Sequence, residues 1–177
     1  MTTTRAYRMN LPAVTIAAVA ALSGCATSRA PEGPAVVRLP LVGSDFPISA
    51  AVSVRHDADT YFLSGALPPV INKDAPKGSV EAYGNMQTQT VNVLKSLQET
   101  LGRLGLGMGD VVKMTVFMVG DPGQGGKLDF AGLMAGYTQF FGTAAQPNKP
   151  ARSAVQVAAL VVPGPLLEIE VVAAKGR

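Results

Sequence analysis

An α+β domain, with two helices laid on one face of a single mixed sheet, is the fold class predicted by this 177-residue chain. Three observations predict it. Apolar, β-branched runs stand early and late in the region after about residue 45, and another lies in its middle. Two segments with helical three- and four-residue spacing separate these runs. Pro- and Gly-rich stretches punctuate the junctions, giving the order β-β-α-β-α-β-β. The length suits one domain, and 47% hydrophobic residues without a long low-complexity tract mark a globular chain.

The first two strands are expected in "AAVSVRHDADTYFLSG", as short β runs around a hairpin turn at Asp57-Ala58-Asp59. "LPPVINKDAPKGSVEAYGN" then reads as a surface loop. Val91, Leu94, Leu97, Leu101 and Leu104 form the apolar stripe of a first helix, which Gly105 and Gly107 end. "DVVKMTVFMVG" has the β-branched, apolar character of a strand covered on both faces. "DPGQGGK" lacks the spacing of a phosphate-binding loop and is expected in solvent. Phe130, Leu133, Met134, Tyr137, Phe140 and Phe141 fall on one stripe of a second helix, as core residues do. "GTAAQPNKP" breaks it, and two closing strands follow around Pro163-Gly164-Pro165.

Those closing strands carry the puzzle of the chain. Arg152 opens the first and Glu168-Ile169-Glu170 interrupts the second, although charges in apolar strands cost free energy unless paired, solvated or used. Glu168 and Glu170, two apart, share a face. Two edge strands with one wet face would explain the charges without function; a site shared by Arg152 and a glutamate would explain them with one.

Net charge adds little. The pI is about 9.2, yet the basic residues do not cluster or interleave with aromatics. Arg5 and Arg8 lie in the first ten residues without an acid, which leaves 13 basic against 12 acidic residues in the remainder. Nucleic acid is therefore not an expected partner. One histidine, His56 at the turn, and one cysteine exclude a zinc site of the usual kind and any internal disulfide, so no metal is expected.

The N-terminus has the layout of a leader. "MTTTRAYRMN" is a positive segment, "LPAVTIAAVAALSG" is apolar but short for a bilayer span, and Leu22-Ser23-Gly24-Cys25 resembles the lipobox of bacterial lipoproteins. That resemblance implies a signal peptide over 1–24 and lipidation of Cys25, whose acyl chains would hold the protein to a membrane at about 0.8 kcal/mol per buried CH₂. Ala26 and Thr27 after the cysteine resemble the outer-membrane sorting pattern, which implies an exported, periplasmic, membrane-anchored protein. A Pro-rich tether over 25–40 and a folded domain over 41–177 complete the expected organisation.

"LGMGDVVKMTVFM", "YTQFF" followed by "PARSAVQVAAL", the final "LLEIEVVA" and Ser64-Gly65 occur together and in order. In this combination, from about Phe46 to Ala174, the chain resembles the Rid family (YjgF-like, also called endoribonuclease L-PSP). The resemblance implies a chorismate-mutase-like (RidA-like) α+β fold and a homotrimer with sites in clefts between subunits. It also implies hydrolysis of reactive enamines and imines, such as 2-aminoacrylate and 2-iminopropanoate, to 2-keto acids and ammonia without a cofactor. Carried over, Arg152 of the P-x-R-S/A motif binds the substrate carboxylate beside Ala154, and Glu168 of the E-I-E motif positions the attacking water. The chemistry is sound by itself. A guanidinium grips a planar carboxylate through a bidentate fork, and an electrophilic imine carbon needs mainly orientation and a held water. The surroundings differ from the family pattern. "FPISAAVSV" lacks the usual tyrosine and glutamine, Met134 stands where many members have asparagine, and Ala66 replaces the glutamine after Ser-Gly. The alternative reading is a non-catalytic trimer that binds a small carboxylate at the same cleft.

Overall fold

The computed structural model describes residues 33–177; the expected signal peptide, Cys25 and the start of the tether lie outside the described residues. Within them, eight principal elements follow in order. They are β1 (Val36–Pro40), β2 (Ser49–Val54), β3 (Asp59–Ala66), α1 (Met86–Arg103), β4 (Val111–Met118), α2 (Phe130–Tyr137), β5 (Ala151–Gln156) and β6 (Leu167–Lys175). The strands make one six-stranded sheet in the order β1-β2-β5-β4-β6-β3. It is mixed: β5 runs parallel to β2 and β4, and the other pairs are antiparallel.

Local chemistry explains both helices. The Asn85 side chain caps α1 by accepting from the Thr88 N–H at 2.9 Å. Its buried stripe is Met86, Gln89, Thr90, Val93, Leu94, Leu97 and Leu101. Leu94, Leu97 and Leu101 are buried as expected, whereas Leu104 is 46% exposed at the helix end, Val91 is only partly buried, and the stripe starts earlier, at Met86. Two polar members are there because they are satisfied. Thr90 donates to the Met86 carbonyl (2.8 Å), and Gln89 bridges the Gly84 carbonyl and the Leu166 N–H (both 2.7 Å). Asp129 caps α2, which then lies against α1 through Gly136. A Cβ there would come within 2.6 Å of the Thr90 Cβ, so only glycine permits the approach.

The core lies between these helices and one sheet face. Met114, Val116 and Met118 of β4 and Leu167, Ile169, Val171 and Ala173 of β6 point into it, with Leu133, Tyr137 and Phe141 above. The opposite face carries Lys113, Thr115 and Phe117 of β4, all partly or fully exposed in the single chain. β4 is therefore covered on one face and not both. Its continuous apolar run concealed an alternation that uses Thr115 and Phe117 as the outward residues.

Topology departs from the sequence in three further places. Val36–Pro40, assigned to the tether, is a strand paired with β2, so the folded part begins before residue 41. β2 and β3 do not form a hairpin: β3 pairs with β6 from Asp59 to Leu63 at one end of the sheet, and β2 lies near the other end. β2 instead joins β1, and touches β5 only where Ser49 faces Ala151. The closing strands β5 and β6 are interior and separated by β4, which rules out the two-edge-strand explanation of their charges.

Candidate active site

Register decides where the charges of the tail point. Arg152 faces Met114 and Ala154 faces Val116, both members of the buried set, so Arg152 and Ala154 look toward the helices. Glu168 faces Phe117 and Glu170 faces Thr115, so both glutamates look toward the open face. Arg152 and Ala154 are thus together, while Glu168 stands on the other side of the sheet. One chain alone does not bring Arg152 and Glu168 into contact.

Arg152 is held in an aromatic frame. Its guanidinium carbon lies 4.2 Å from the Tyr137 ring centroid, 5.5 Å from Phe46 and 5.9 Å from Phe130. Nη2 donates to the Met134 sulfur at 3.3 Å. Nη1 is buried and has no hydrogen-bond partner, and no ion pair of Arg152 occurs among the described residues. Burial pulls the Arg152 pKa below the ordinary arginine value, with Tyr137 opposing. Burial also pushes the Tyr137 hydroxyl well above the usual phenol range, the Arg152 charge offsetting part of that. The energetics are lopsided. Burying a cation costs several kcal/mol, whereas a desolvated cation–π contact returns about 2 kcal/mol. An anion at Nη1 would close the difference.

The frame is built by one loop and a helix. The Tyr137 hydroxyl donates to the Pro47 carbonyl at 2.8 Å, which ties the β1–β2 connection to α2 and sets Phe46 beside Phe130. The two rings stack at 6.3 Å with 12° between planes, and remain 36% and 40% exposed. Phe130, expected in the core stripe, thus lies at the rim of the frame, beside Phe46. A signal was present for Phe130: it immediately follows the N-cap Asp129, so no preceding helical turn covers it.

Glu168 has its own surroundings. The β3–β6 register slips between Leu63 and Ala66, and Ser64-Gly65 forms the irregularity. A Cβ on Gly65 would overlap the Glu168 carboxylate at Oε1, so the glycine backbone is what lets that carboxylate lie against β3. Ser64 and Gly65 also line a cavity of about 400 Å³ between β3 and α1. A second cavity, of about 440 Å³, lies around Ser79, Asp121 and Gly164 and touches neither Arg152 nor Glu168. Among the described residues, no three His, Cys, Asp or Glu side chains gather as a metal site requires.

The family model described as endoribonuclease L-PSP matches residues 46–175, which contain both halves of this arrangement. The chain belongs to that family, the Rid group. A RutC family protein of Pyrococcus abyssi is 31% identical over 129 residues, covering 73% of this chain and 87% of the relative. A RutC family protein of Pyrococcus horikoshii is 32% identical, covering 64% and 78%. Among solved structures, a conserved Rid family protein of Yersinia pestis superposes with a TM-score of 0.60 at 24% identity, covering 80% of this chain and 99% of the other. TdcF of E. coli, solved with bound serine, is 30% identical with a TM-score of 0.50, covering 73% and 93%. The Rid fold predicted from sequence, a mixed sheet with two helices, is the fold observed.

Proposed function

We propose that this Rid protein hydrolyses reactive 2-imino acids and enamines to 2-keto acids and ammonia, at sites formed between copies of the chain in a homotrimer. The observation that supports it most is the buried Arg152 guanidinium with an unpartnered Nη1. A planar carboxylate pairs with a guanidinium through charge-assisted bonds that a lysine would not reproduce. TdcF with bound serine supports a small amino-acid-like ligand for a relative of this fold.

Chemistry then requires water at the imine carbon. Water oxygen adds to C2 while a proton reaches nitrogen; the resulting carbinolamine expels ammonia and leaves the keto group. A carboxylate that accepts from the water aligns it and relays its proton, the role assigned to Glu168. Because Glu168 and Arg152 lie on opposite sheet faces, a site using both takes one from each of two neighbouring copies. The partly exposed outward residues Thr115 and Phe117 and the 46% exposed Val155 support self-association through the open face. Endoribonuclease action, named in the family description, is less well supported, since the one histidine is exposed on the β2–β3 connection, away from Arg152's frame.

The test generates 2-iminopropanoate with an amino-acid oxidase and follows its loss. Wild-type protein is expected to accelerate loss over buffer, and Arg152→Ala and Glu168→Gln to abolish most of the acceleration. Equal acceleration by Arg152→Ala would sink the proposal. A non-catalytic carboxylate binder is the second reading, favoured by the apolar Met134 and Phe46 around the anchor; it predicts Arg152-dependent carboxylate binding without turnover. Location outside the cytoplasm rests on residues 1–25 and predicts that Cys25→Ser releases the protein from the membrane fraction; unchanged retention would count against lipidation.

A further inference from the structure

We infer that Phe46, Phe130 and Met134 select ligands whose carboxylate is attached to a bulky apolar group, an aryl or branched alkyl side chain, over small or hydroxylated ones. The inference rests on the reading of Arg152 as a carboxylate anchor and adds the identity of what the carboxylate carries. Around that guanidinium stand two phenyl rings, a thioether and a tyrosine ring. The tyrosine hydroxyl is already engaged with the Pro47 carbonyl. The neighbour along β5 on the same face is Ala154, which offers no hydrogen bond from its side chain. A ligand hydroxyl or amide here would therefore be buried without a side-chain partner, a large penalty in recognition.

The rims of the frame point the same way. Phe46 and Phe130 are 36% and 40% exposed although they stack on each other, and they stand beside an unpartnered charge. Two wet rings next to a dry guanidinium form an amphipathic receptor: the cation takes the carboxylate, and the exposed ring surface takes the apolar substituent. Each additional methylene buried there strengthens binding about fourfold, and an aryl group contributes several such increments. The rings carry no hydrogen-bonding atom of their own, so a ligand reaching Nη1 breaks no hydrogen bond of theirs.

Titrating the purified full-length protein with phenylpyruvate and with pyruvate tests this, and separates it from the deaminase reading because keto acids need no turnover. Phenylpyruvate is expected to bind at least about tenfold more tightly. Phe46→Ala and Phe130→Ala should each shrink that ratio severalfold, while Arg152→Ala weakens both ligands together. Equal affinities, or a ratio unchanged by both phenylalanine variants, would overturn the inference even if imines are hydrolysed. Should the rings instead cover a second copy of the chain, Phe130→Ala would lower the oligomeric mass and leave the ratio intact, which overturns it too. A preference for phenylpyruvate in a protein that hydrolyses no imine would uphold the inference and reject catalysis. Binding of neither keto acid would overturn the inference, and loss of 2-iminopropanoate then decides catalysis by itself.

Discussion

The two faces of the sheet handle charge in opposite ways. On the helix side, Arg152 is enclosed by aromatic rings and lacks a counterion. On the open side, Glu170 is exposed, Glu168 is partly buried with its carboxylate against Gly65, and Lys113 reaches only Ser153 at 3.1 Å. Solvent reaches the open-face charges, so the fold tolerates them at less cost. Arg152 has no such relief and must be retained for a reason other than stability. The difference teaches that a buried, unpaired cation is the more informative of the two signals, while the glutamates acquire meaning only from what faces them in an assembly.

The largest expected effect tests whether the two faces work together across copies. Co-assembling Arg152→Ala and Glu168→Gln subunits should restore up to about one quarter of wild-type activity, because statistically mixed head-to-tail interfaces leave that share of sites with both groups. Mixed trimers as inactive as either parent would show that the groups do not act in one site. Next comes Gly65→Ala, which displaces the Glu168 carboxylate. Turnover should fall about tenfold or more with KM nearly unchanged, since only the water-aligning group moves. An unaltered kcat would detach the open face from the chemistry.

Stability sharpens the comparison on a smaller scale. Arg152→Met keeps the volume and removes the unpaired charge, so unfolding should become harder by about 1–3 kcal/mol, read by denaturant melts. Glu168→Met on the solvated face should change stability by less than about 0.5 kcal/mol. A destabilised Arg152→Met would mean that Arg152 has a structural partner. The smallest effect is at high pH. Tyr137 is raised above its ordinary value of 10.0 by burial, so the folded state holds a proton that the unfolded chain releases. The stabilisation is complete below pH 10 and declines as pH rises above it. Tyr137→Phe should flatten that decline.

Much of this fold was legible because periodicity survives in a linear string. The central leucines of α1 were legible, but its buried N-terminal turn was not, since Gln89 and Thr90 are buried by virtue of hydrogen bonds that composition does not reveal. β1 was missed because five residues containing Arg38 and Pro40 carry too little pattern; its arginine is satisfied by the Gly109 carbonyl at 2.7 Å, 71 residues away. The hairpin between β2 and β3 failed for a related reason: turn chemistry at Asp57 is local, but the partner of β3 was chosen by β6 at the far end of the chain.

Residue order by itself determined the α+β class, the two helices, and the charges at Arg152 and Glu168-Ile169-Glu170 that call for an explanation, because these depend on spacing and residue type within short windows. Tertiary structure decided that β4 separates the two closing strands, that their charges leave by opposite faces, and that Phe46 from a remote loop meets Phe130 over the guanidinium. Those outcomes depend on strand register and on burial, which arise from contacts between segments far apart in the chain.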